Sequence, residues 1–205
     1  MTKLFVFDLG NVILPFEHRQ IGAKLCEKSD RKGALSSEEV FDFMFNRGAG
    51  LINEYETGQM SSLEFFGELR DKFALTITFE EFKDIWNPIF WENPRVIEAI
   101  EYLKAKGYPL FLLSDTNELH FAHIIDQYPI VHAFDEWILS FEVGAKKPEK
   151  RIYDVIFEKM DVDGSDVFYV DDLERNVEAA RSLGIEGLVF RDAEDLWQAL
   201  KDKGI

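Results

Sequence analysis

Short apolar runs recur along the chain, each with the length of a single strand. They cover residues 4–7, 110–113, 137–139, 167–170 and 188–190. Runs of this length that are apolar throughout, rather than alternating with polar residues, are typical of strands covered on both faces of a sheet. The pattern therefore predicts five buried strands, the first of which is far from the others in sequence.

Segments with helical periodicity lie next to the last four runs, at residues 95–106, 151–160, 177–183 and 193–201. In the first of these, Val96, Ile100 and Leu103 share one face, and Gly107 follows as a typical helix end. Strands that alternate with helices indicate βαβ units. We predict an α/β core with a largely parallel sheet, built from residues 1–15 and 91–205.

Residues 16–90 differ in character, because helical signals dominate and no strand pattern is present. Three predicted helix starts carry capping boxes, in which a Ser or Thr is followed three residues later by Glu: Ser36 with Glu39, Ser61 with Glu64, and Thr78 with Glu81. Aromatic stripes follow each start and are typical of a helix-bundle core. We predict an all-helical domain inserted over residues 16–90.

Composition limits the partners of the protein. Its 39 acidic and 23 basic residues give a net charge of −16, which repels nucleic acid and anionic membranes. A phosphate site in such a protein must supply its own local cations. Cys26 is the one cysteine, which excludes an intramolecular disulfide and fits a reducing compartment, and no apolar run is long enough to span a membrane. We expect a cytoplasmic protein.

Polar groups follow four of the predicted strands, and ligands of open parallel sheets bind beyond the carboxyl ends of the strands. The groups are Asp8, Ser114 with Asp115, Lys146 with Lys147, and Asp171 with Asp172. Each alone is typical of a turn or a helix cap. Together, their carboxylates would repel one another without a cation, and oxygen ligands favour Mg²⁺. A hydroxyl and an ammonium nearby complete a site of phosphate size.

These segments resemble the four motifs of the haloacid dehalogenase superfamily. Residues 5–12 resemble the first motif, 112–117 the second, 144–149 the third and 169–172 the fourth. The strongest likeness is to a glucose-1-phosphatase-like branch, which shares the Asp-Leu-Gly-Asn-Val start and stretches similar to residues 56–61 and 147–153. The resemblance implies a Rossmann-like three-layer core with an inserted helical cap domain.

The resemblance also implies a role for each site residue. Asp8 would attack phosphorus and form an aspartyl-phosphate, with Lys147 neutralising the developing charge. Ser114 and the backbone N–H of Asp115 would hold the phosphoryl oxygens. Magnesium would be held by Asp8, the Gly10 carbonyl and Asp172, with Asp171 assisting directly or through water. The expected function is a magnesium-dependent phosphatase acting on a small phosphorylated metabolite such as a sugar phosphate.

Gly10 departs from the family pattern, because most phosphatases of the superfamily carry an acid/base aspartate at this position. Loss of such a group typically costs about 10²- to 10⁴-fold in rate. Another group from the cap could replace it, or the substrate could be a sugar 1-phosphate, whose leaving group needs little protonation. The remaining alternatives are a catalytically weak binding or regulatory protein, a phosphomutase and a dehalogenase. Asp171 and Asp172 count against a dehalogenase.

Several further residues are candidates for the cleft or for zinc binding. His18, Arg47 and Glu56 either line the cleft or lie on the surface. His120 and His123 are three residues apart and could be zinc ligands, although surface positions on a helix are the favoured interpretation.

Overall fold

The computed structural model describes residues 2–31, 33–46 and 50–205. Its five strands form one sheet in the order β3-β2-β1-β4-β5, and each adjacent pair is parallel. The strands are β1 (Leu4–Phe7), β2 (Leu110–Ser114), β3 (Glu136–Leu139), β4 (Val167–Asp171) and β5 (Glu186–Val189). The predicted α/β class with a largely parallel sheet is confirmed.

The central strand β1 sets the geometry of the carboxyl edge. Phe7, its last residue, pairs with Leu112 of β2 and with Val170 of β4. All residues of β1, β2 and β4 are buried, which explains why their sequences are apolar rather than alternating. The register brings Asp8 and Asp171, each one residue beyond such a pair, to the same level of the sheet.

Alternate strand residues face two helical layers. Phe5 and Phe7 pack with α6 (Pro94–Ala105), α7 (Glu118–Gln127) and α11 (Ala193–Asp202) on one face. Leu4 and Val6 pack with α9 (Lys150–Lys159) and α10 (Glu174–Ser182) on the other. A short helix, α8 (Ser140–Val143), follows β3, and 3-10 helices span Pro129–Ala133 and Gly164–Asp166. The result is the expected three-layer arrangement.

Five helices lie between β1 and α6 and pack around a hydrophobic cluster of their own. They are α1 (Arg19–Glu27), α2 (Ser37–Phe45), α3 (Ile52–Glu56), α4 (Ser62–Phe73) and α5 (Phe79–Trp86). The predicted aromatic stripes supply much of this cluster, including the fully buried Phe65, Phe82 and Trp86. The insert is helical as expected, and its division from the core at residues 15/16 and 90/91 stays a prediction. No helix in the described ranges combines the length and apolar character that a bilayer crossing requires.

Two of the three predicted capping boxes form in full. Ser61 with Glu64 and Thr78 with Glu81 make both reciprocal hydrogen bonds. The prediction for Ser36 is wrong in part, because its hydroxyl accepts from the Glu39 N–H but its own N–H does not donate to the Glu39 carboxylate. That carboxylate instead lies 3.9 Å from Arg31 Nη2. An ion pair with the preceding loop has taken the place of the second capping bond.

Two of the contacts between the helical insert and the core lie near α3. At the first, the Tyr55 hydroxyl accepts from the Leu119 N–H at 3.3 Å, and Ser62 Oγ donates to Glu118 Oε2 at 2.5 Å. At the second, Gly58 follows α3 and lies against the backbone of Phe141 in α8. The φ of Gly58 is +68°, and a Cβ at this position would lie 2.2 Å from the Phe141 carbonyl oxygen.

Gly58→Ala is expected to lower the free energy of unfolding by about 2 kcal/mol or more. Alanine is strained at a positive φ, and its Cβ would also overlap the backbone of Phe141. Gly107→Ala is the matched control. Gly107 also has a positive φ, +80°, but its added Cβ would meet nothing within 4 Å. Chemical denaturation of both variants separates the two contributions. Equal losses in the two variants would show that the close approach to Phe141 costs nothing.

Candidate active site

Lys147 lies at the centre of the carboxyl edge, where it joins three strands. Its ammonium nitrogen is 2.7 Å from Asp8 Oδ1 and 2.9 Å from Asp171 Oδ2, and it donates to the Leu113 carbonyl oxygen at 3.1 Å. The side chain is only 2% exposed. Burial opposes its charge, but the nearby carboxylates outweigh burial and hold the pKa of Lys147 above its ordinary value. Lys147 is therefore a fixed cation between two strand ends.

Asp171 is surrounded by hydrogen-bond donors. Its carboxylate accepts from Tyr169 Oη, from the Leu173 N–H at 2.8 Å and from Asn176 Nδ2 at 3.0 and 3.1 Å, in addition to Lys147. Burial alone would raise the pKa of Asp171, but Lys147 and these donors lower it overall. Asp171 thus stays ionised, and it fixes the position of the ammonium.

Asp8 has a different environment, although it is nearly as buried. Oδ1 accepts from the Leu9 N–H at 2.7 Å and faces Lys147, whereas Oδ2 accepts no hydrogen bond from the described residues. Burial raises the pKa of Asp8 to about 8, with Asp171 and Asp172 adding to the rise and Lys147 opposing it. A second cation near Oδ2 would favour the ionised form that a nucleophile requires.

The acidic residues of this edge meet the requirements of a divalent cation site. One oxygen each from Asp8, Asp171 and Asp172 lies within 4.8 Å of the others, and no second group of this kind was found among the described residues. Three carboxylates face one ammonium, so the cluster retains negative charge that a cation would balance. An all-oxygen donor set suits Mg²⁺. Asn11 Nδ2 donates to Asp172 Oδ2 at 3.3 Å.

Ser114 ends β2 on the neighbouring side of the site, and Asp115 follows it. Ser114 is buried and, with Asp115, lines a cavity that opens from the carboxyl edge. The Asp115 carboxylate accepts from the Lys147 N–H at 2.9 Å, which ties the two loops together, and burial raises its pKa. Ser140 Oγ fixes the next residue by accepting from the Thr116 N–H at 2.9 Å and donating to the Thr116 carbonyl at 3.0 Å.

The cavity lies between the core and the helical insert and encloses about 440 Å³, including the part open to solvent. It is lined by Leu9, Gly10, Phe16, His18, Glu56, Ile89, Phe90, Ser114, Asp115, Thr116, His120 and Ile124. Of the three cleft candidates in the insert, His18 and Glu56 line the cavity, whereas Arg47 lies outside the described residues.

A half-buried ion pair between Glu56, in the cavity wall, and Lys146 was not predicted from the sequence. Lys146 Nζ contacts the Glu56 carboxylate and also lies 3.4 Å from Asn53 Oδ1. Burial raises the pKa of Glu56 against the opposing effect of Lys146. The adjacent lysines 146 and 147 thus have different partners, Glu56 of the insert for Lys146 and the core carboxylates for Lys147. The family resemblance singled out Lys147, but no sequence signal predicted the partner of Lys146.

His120 is buried, so its predicted surface position is wrong. Its Nδ1 lies 3.0 Å from Asn117 Nδ2, and its Nε2 lies 3.0 Å from the Trp86 carbonyl oxygen. Burial lowers the pKa of His120 to about 3, which keeps the imidazole neutral. Because both ring nitrogens have protein partners, His120 and His123 do not form a zinc site.

The sequence is similar to a known protein family and to individual enzymes. A family profile described as a haloacid dehalogenase-like hydrolase matches residues 2–184. The chain is 27% identical over 208 residues to a D-ribitol-5-phosphate phosphatase of Bacteroides thetaiotaomicron, covering 98% of this chain and 97% of the relative. It is 32% identical over 107 residues to a phosphorylated carbohydrates phosphatase of Thermotoga maritima, covering 52% of this chain and 50% of that protein.

The fold also matches solved structures. A crystal structure of a haloacid dehalogenase family enzyme from Bacteroides thetaiotaomicron superimposes with a TM-score of 0.80 at 23% sequence identity. The match covers 94% of this chain and 96% of that one, and the crystallised enzyme was in complex with magnesium and inorganic phosphate. At this level of identity the likeness establishes the shared fold.

Proposed function

The chain belongs to the haloacid dehalogenase-like hydrolases, and we propose that it is a magnesium-dependent phosphatase of small phosphorylated metabolites. Its classification as a hydrolase acting on phosphate esters rests on the family and on relatives that are phosphatases. We propose in addition that the cation is Mg²⁺, that the site residues have the catalytic roles given below, and that the substrate is a carbohydrate phosphate.

One observation carries the proposal: Lys147 lies between Asp8 and Asp171, with Asp172 beside them. The cavity begins next to this cluster, where Leu9, Gly10 and Ser114 line it. Phosphoryl transfer needs a nucleophile, positive charge close to the phosphoryl oxygens and little else from the protein. This cluster offers a carboxylate oxygen free of protein donors, a buried ammonium, and oxygen ligands for a cation.

In the proposed reaction, Asp8 Oδ2 attacks phosphorus, the bond from phosphorus to the ester oxygen breaks, and an aspartyl-phosphate forms. Water then attacks the phosphorus and regenerates Asp8. Lys147 balances the charge of Asp8 and of the transferred group, while the Ser114 hydroxyl and the Asp115 N–H hold phosphoryl oxygens. Magnesium, held by Asp8, Asp172 and the Gly10 carbonyl with Asp171 assisting, would supply further charge neutralisation.

The similar proteins favour a phosphorylated carbohydrate as substrate. Relatives that match 98% and 52% of this chain act on D-ribitol 5-phosphate and on phosphorylated carbohydrates, by their names. A sugar 1-phosphate remains the finer proposal, because its acidic leaving group reduces the need for a proton donor at Gly10.

Gly10 also supports a second candidate, a catalytically weak binding or regulatory protein. A Cβ at Gly10 would lie 2.8 Å from Phe16 Cε1, so the ring fills the space that an acid/base side chain would need. Turnover at ordinary enzymatic rates would exclude this candidate.

The direct experiment is a screen of phosphorylated metabolites with Mg²⁺, with EDTA, and with Asp8→Ala. We expect phosphate release that requires Mg²⁺ and is lost in the variant. Release of phosphate that persists in Asp8→Ala would contradict the proposed function. A protein that binds several of the compounds without turnover would support the second candidate.

A further inference from the structure

The proposed function requires a proton for the leaving oxygen, and its source is the subject of a further inference that rests on that function. When Asp8 displaces an alcohol from phosphorus, the departing oxygen carries a negative charge. A positioned acid typically contributes about 10²- to 10⁴-fold to such a step. The group must lie in the cavity, beyond the phosphoryl site, where the alcohol portion of the ester would bind.

Position 10 cannot supply the proton, because Gly10 has no side chain and its space is taken. The Phe16 ring lies against this position and is itself held by Phe90, with ring centroids 5.8 Å apart. Phe16, Ile89, Phe90 and Ile124 make this part of the cavity apolar. The proton must therefore come from one of the few polar side chains in the wall.

Most titratable groups in the described part of the wall already have partners. Glu56 is paired with Lys146, and Asp115 accepts the backbone N–H of Lys147. Both nitrogens of His120 have protein partners, and burial keeps its imidazole neutral. The Thr116 hydroxyl is too weak an acid to act as a proton donor. His18 remains.

His18 is positioned by aromatic rings rather than by hydrogen bonds. Its ring centroid lies 5.3 Å from Phe16, 5.2 Å from Phe41 and 4.5 Å from Phe45, and it is nearly parallel to Phe41, at 23°. Neither ring nitrogen is hydrogen-bonded to a described residue. The imidazole is thus fixed in orientation on the cavity wall, and neither nitrogen is occupied by a group from the described residues.

The charged groups around His18 come from several elements. Glu17 and Arg19 flank it in the chain, Arg19 lies over Phe41 of α2, and His120 faces it from α7. Burial lowers the pKa of His18, with Glu17 opposing and Arg19 adding to the effect. The neutral form, which the second step requires, therefore predominates at pH 7. The protonated form, which the first step requires, is the minor form at pH 7 and becomes more abundant as the pH falls.

We propose that His18 is the proton-transfer residue for the leaving group, in the place of the side chain that Gly10 lacks. In the first step, protonated His18 donates to the ester oxygen as its bond to phosphorus breaks, and neutral imidazole remains. In the second step, that imidazole accepts a proton from the water that attacks the aspartyl-phosphate. Phosphate leaves, and protonated His18 is regenerated, so protons balance over the cycle.

His18→Phe tests the proposal, because phenylalanine preserves the aromatic packing and removes both nitrogens. The substrates are D-ribitol 5-phosphate, phenyl phosphate and p-nitrophenyl phosphate, whose leaving groups become more acidic in that order. We expect kcat/KM to fall by about 10²-fold or more for the alkyl ester, less for phenyl phosphate and least for p-nitrophenyl phosphate. The value of kcat/KM reports only the steps up to phosphorylation of Asp8. A loss that shrinks as the leaving group becomes more acidic therefore identifies proton donation to the leaving group, and not the later hydrolysis of the aspartyl-phosphate, as the step that His18→Phe impairs.

Two controls separate chemistry from packing. His123→Phe changes a histidine outside the cavity lining and is expected to retain the activity of the parent protein. In His18→Ala, added imidazole is expected to restore part of the loss with phenyl phosphate, and the same addition is expected to have no effect in His18→Phe. A loss equal for the three esters, or no loss, would overturn the role of His18. A parent protein that hydrolyses none of them with Mg²⁺ would instead contradict the proposed function.

Discussion

Asp8→Asn is expected to lower kcat/KM for phosphate ester hydrolysis by about 10⁵-fold, the order of loss seen when a catalytic nucleophile is removed. The amide keeps the shape of the side chain but cannot form the aspartyl-phosphate. Steady-state kinetics with the best ester from the metabolite screen measures the effect. A loss of only a few-fold would show that Asp8 is not the nucleophile.

The stability of Asp8→Asn is a built-in check on folding. Asp8 is a buried carboxylate whose charge is disfavoured by burial and by Asp171 and Asp172. Removing that charge is expected to leave the free energy of unfolding unchanged or to raise it. Asp71→Asn, at a carboxylate that is 74% exposed, is the matched control and should change neither activity nor stability appreciably.

Lys147→Met is expected to lower the free energy of unfolding by about 3–5 kcal/mol, because it leaves Asp8 and Asp171 buried without their shared cation. The same change should lower kcat/KM by about 10²-fold or more, since the ammonium would no longer balance the charge of the phosphoryl group. Urea denaturation and kinetics measure the two effects. Lys150→Met is the control, because Lys150 pairs with Asp154 at a site where the lysine is 67% exposed, and exposed pairs contribute little.

The loss of stability in Lys147→Met should depend on pH in a defined direction. Burial raises the pKa of Asp8 already in the parent protein. Without the ammonium, burial is expected to raise the folded-state pKa of Asp171 as well, because Lys147 is the largest effect that opposes burial there. The folded variant then binds more protons than the unfolded chain above about pH 4, so its stability falls as the pH rises. We expect the difference from the parent protein to be larger at pH 8 than at pH 5. The reverse order would show that Lys147 does not neutralise these carboxylates.

Much of the fold followed from the sequence because the sheet is buried on both faces. Strands such as Leu4–Phe7 are apolar throughout, and the helices between them have clear periodicity and caps. The motif residues could be placed at one edge because parallel strands share a carboxyl end. Asp8 and Asp171, 163 residues apart in sequence, reach that edge through the register of β1 with β4.

What the sequence could not predict depends on contacts between segments that are distant in the chain. The donors that surround Asp171 come from β4, the loop that follows it, α10 and Lys147. Only Tyr169, two residues away on the same strand face, is linked to Asp171 by the period of the strand. Glu56 and Lys146 meet across the insert and the core, and no periodicity links them. His120 was placed on the surface because its partner, the Trp86 carbonyl, belongs to the inserted helices.

The most direct measurement of the central claim is rapid acid quenching of the protein during turnover with Mg²⁺, followed by peptide mass spectrometry. The account predicts a phosphoryl group on the carboxylate of Asp8, which disappears in Asp8→Asn and builds up when hydrolysis is slowed in His18→Phe with p-nitrophenyl phosphate. Turnover with no phosphoryl group on Asp8 under these conditions, or with the group on another residue, would contradict it.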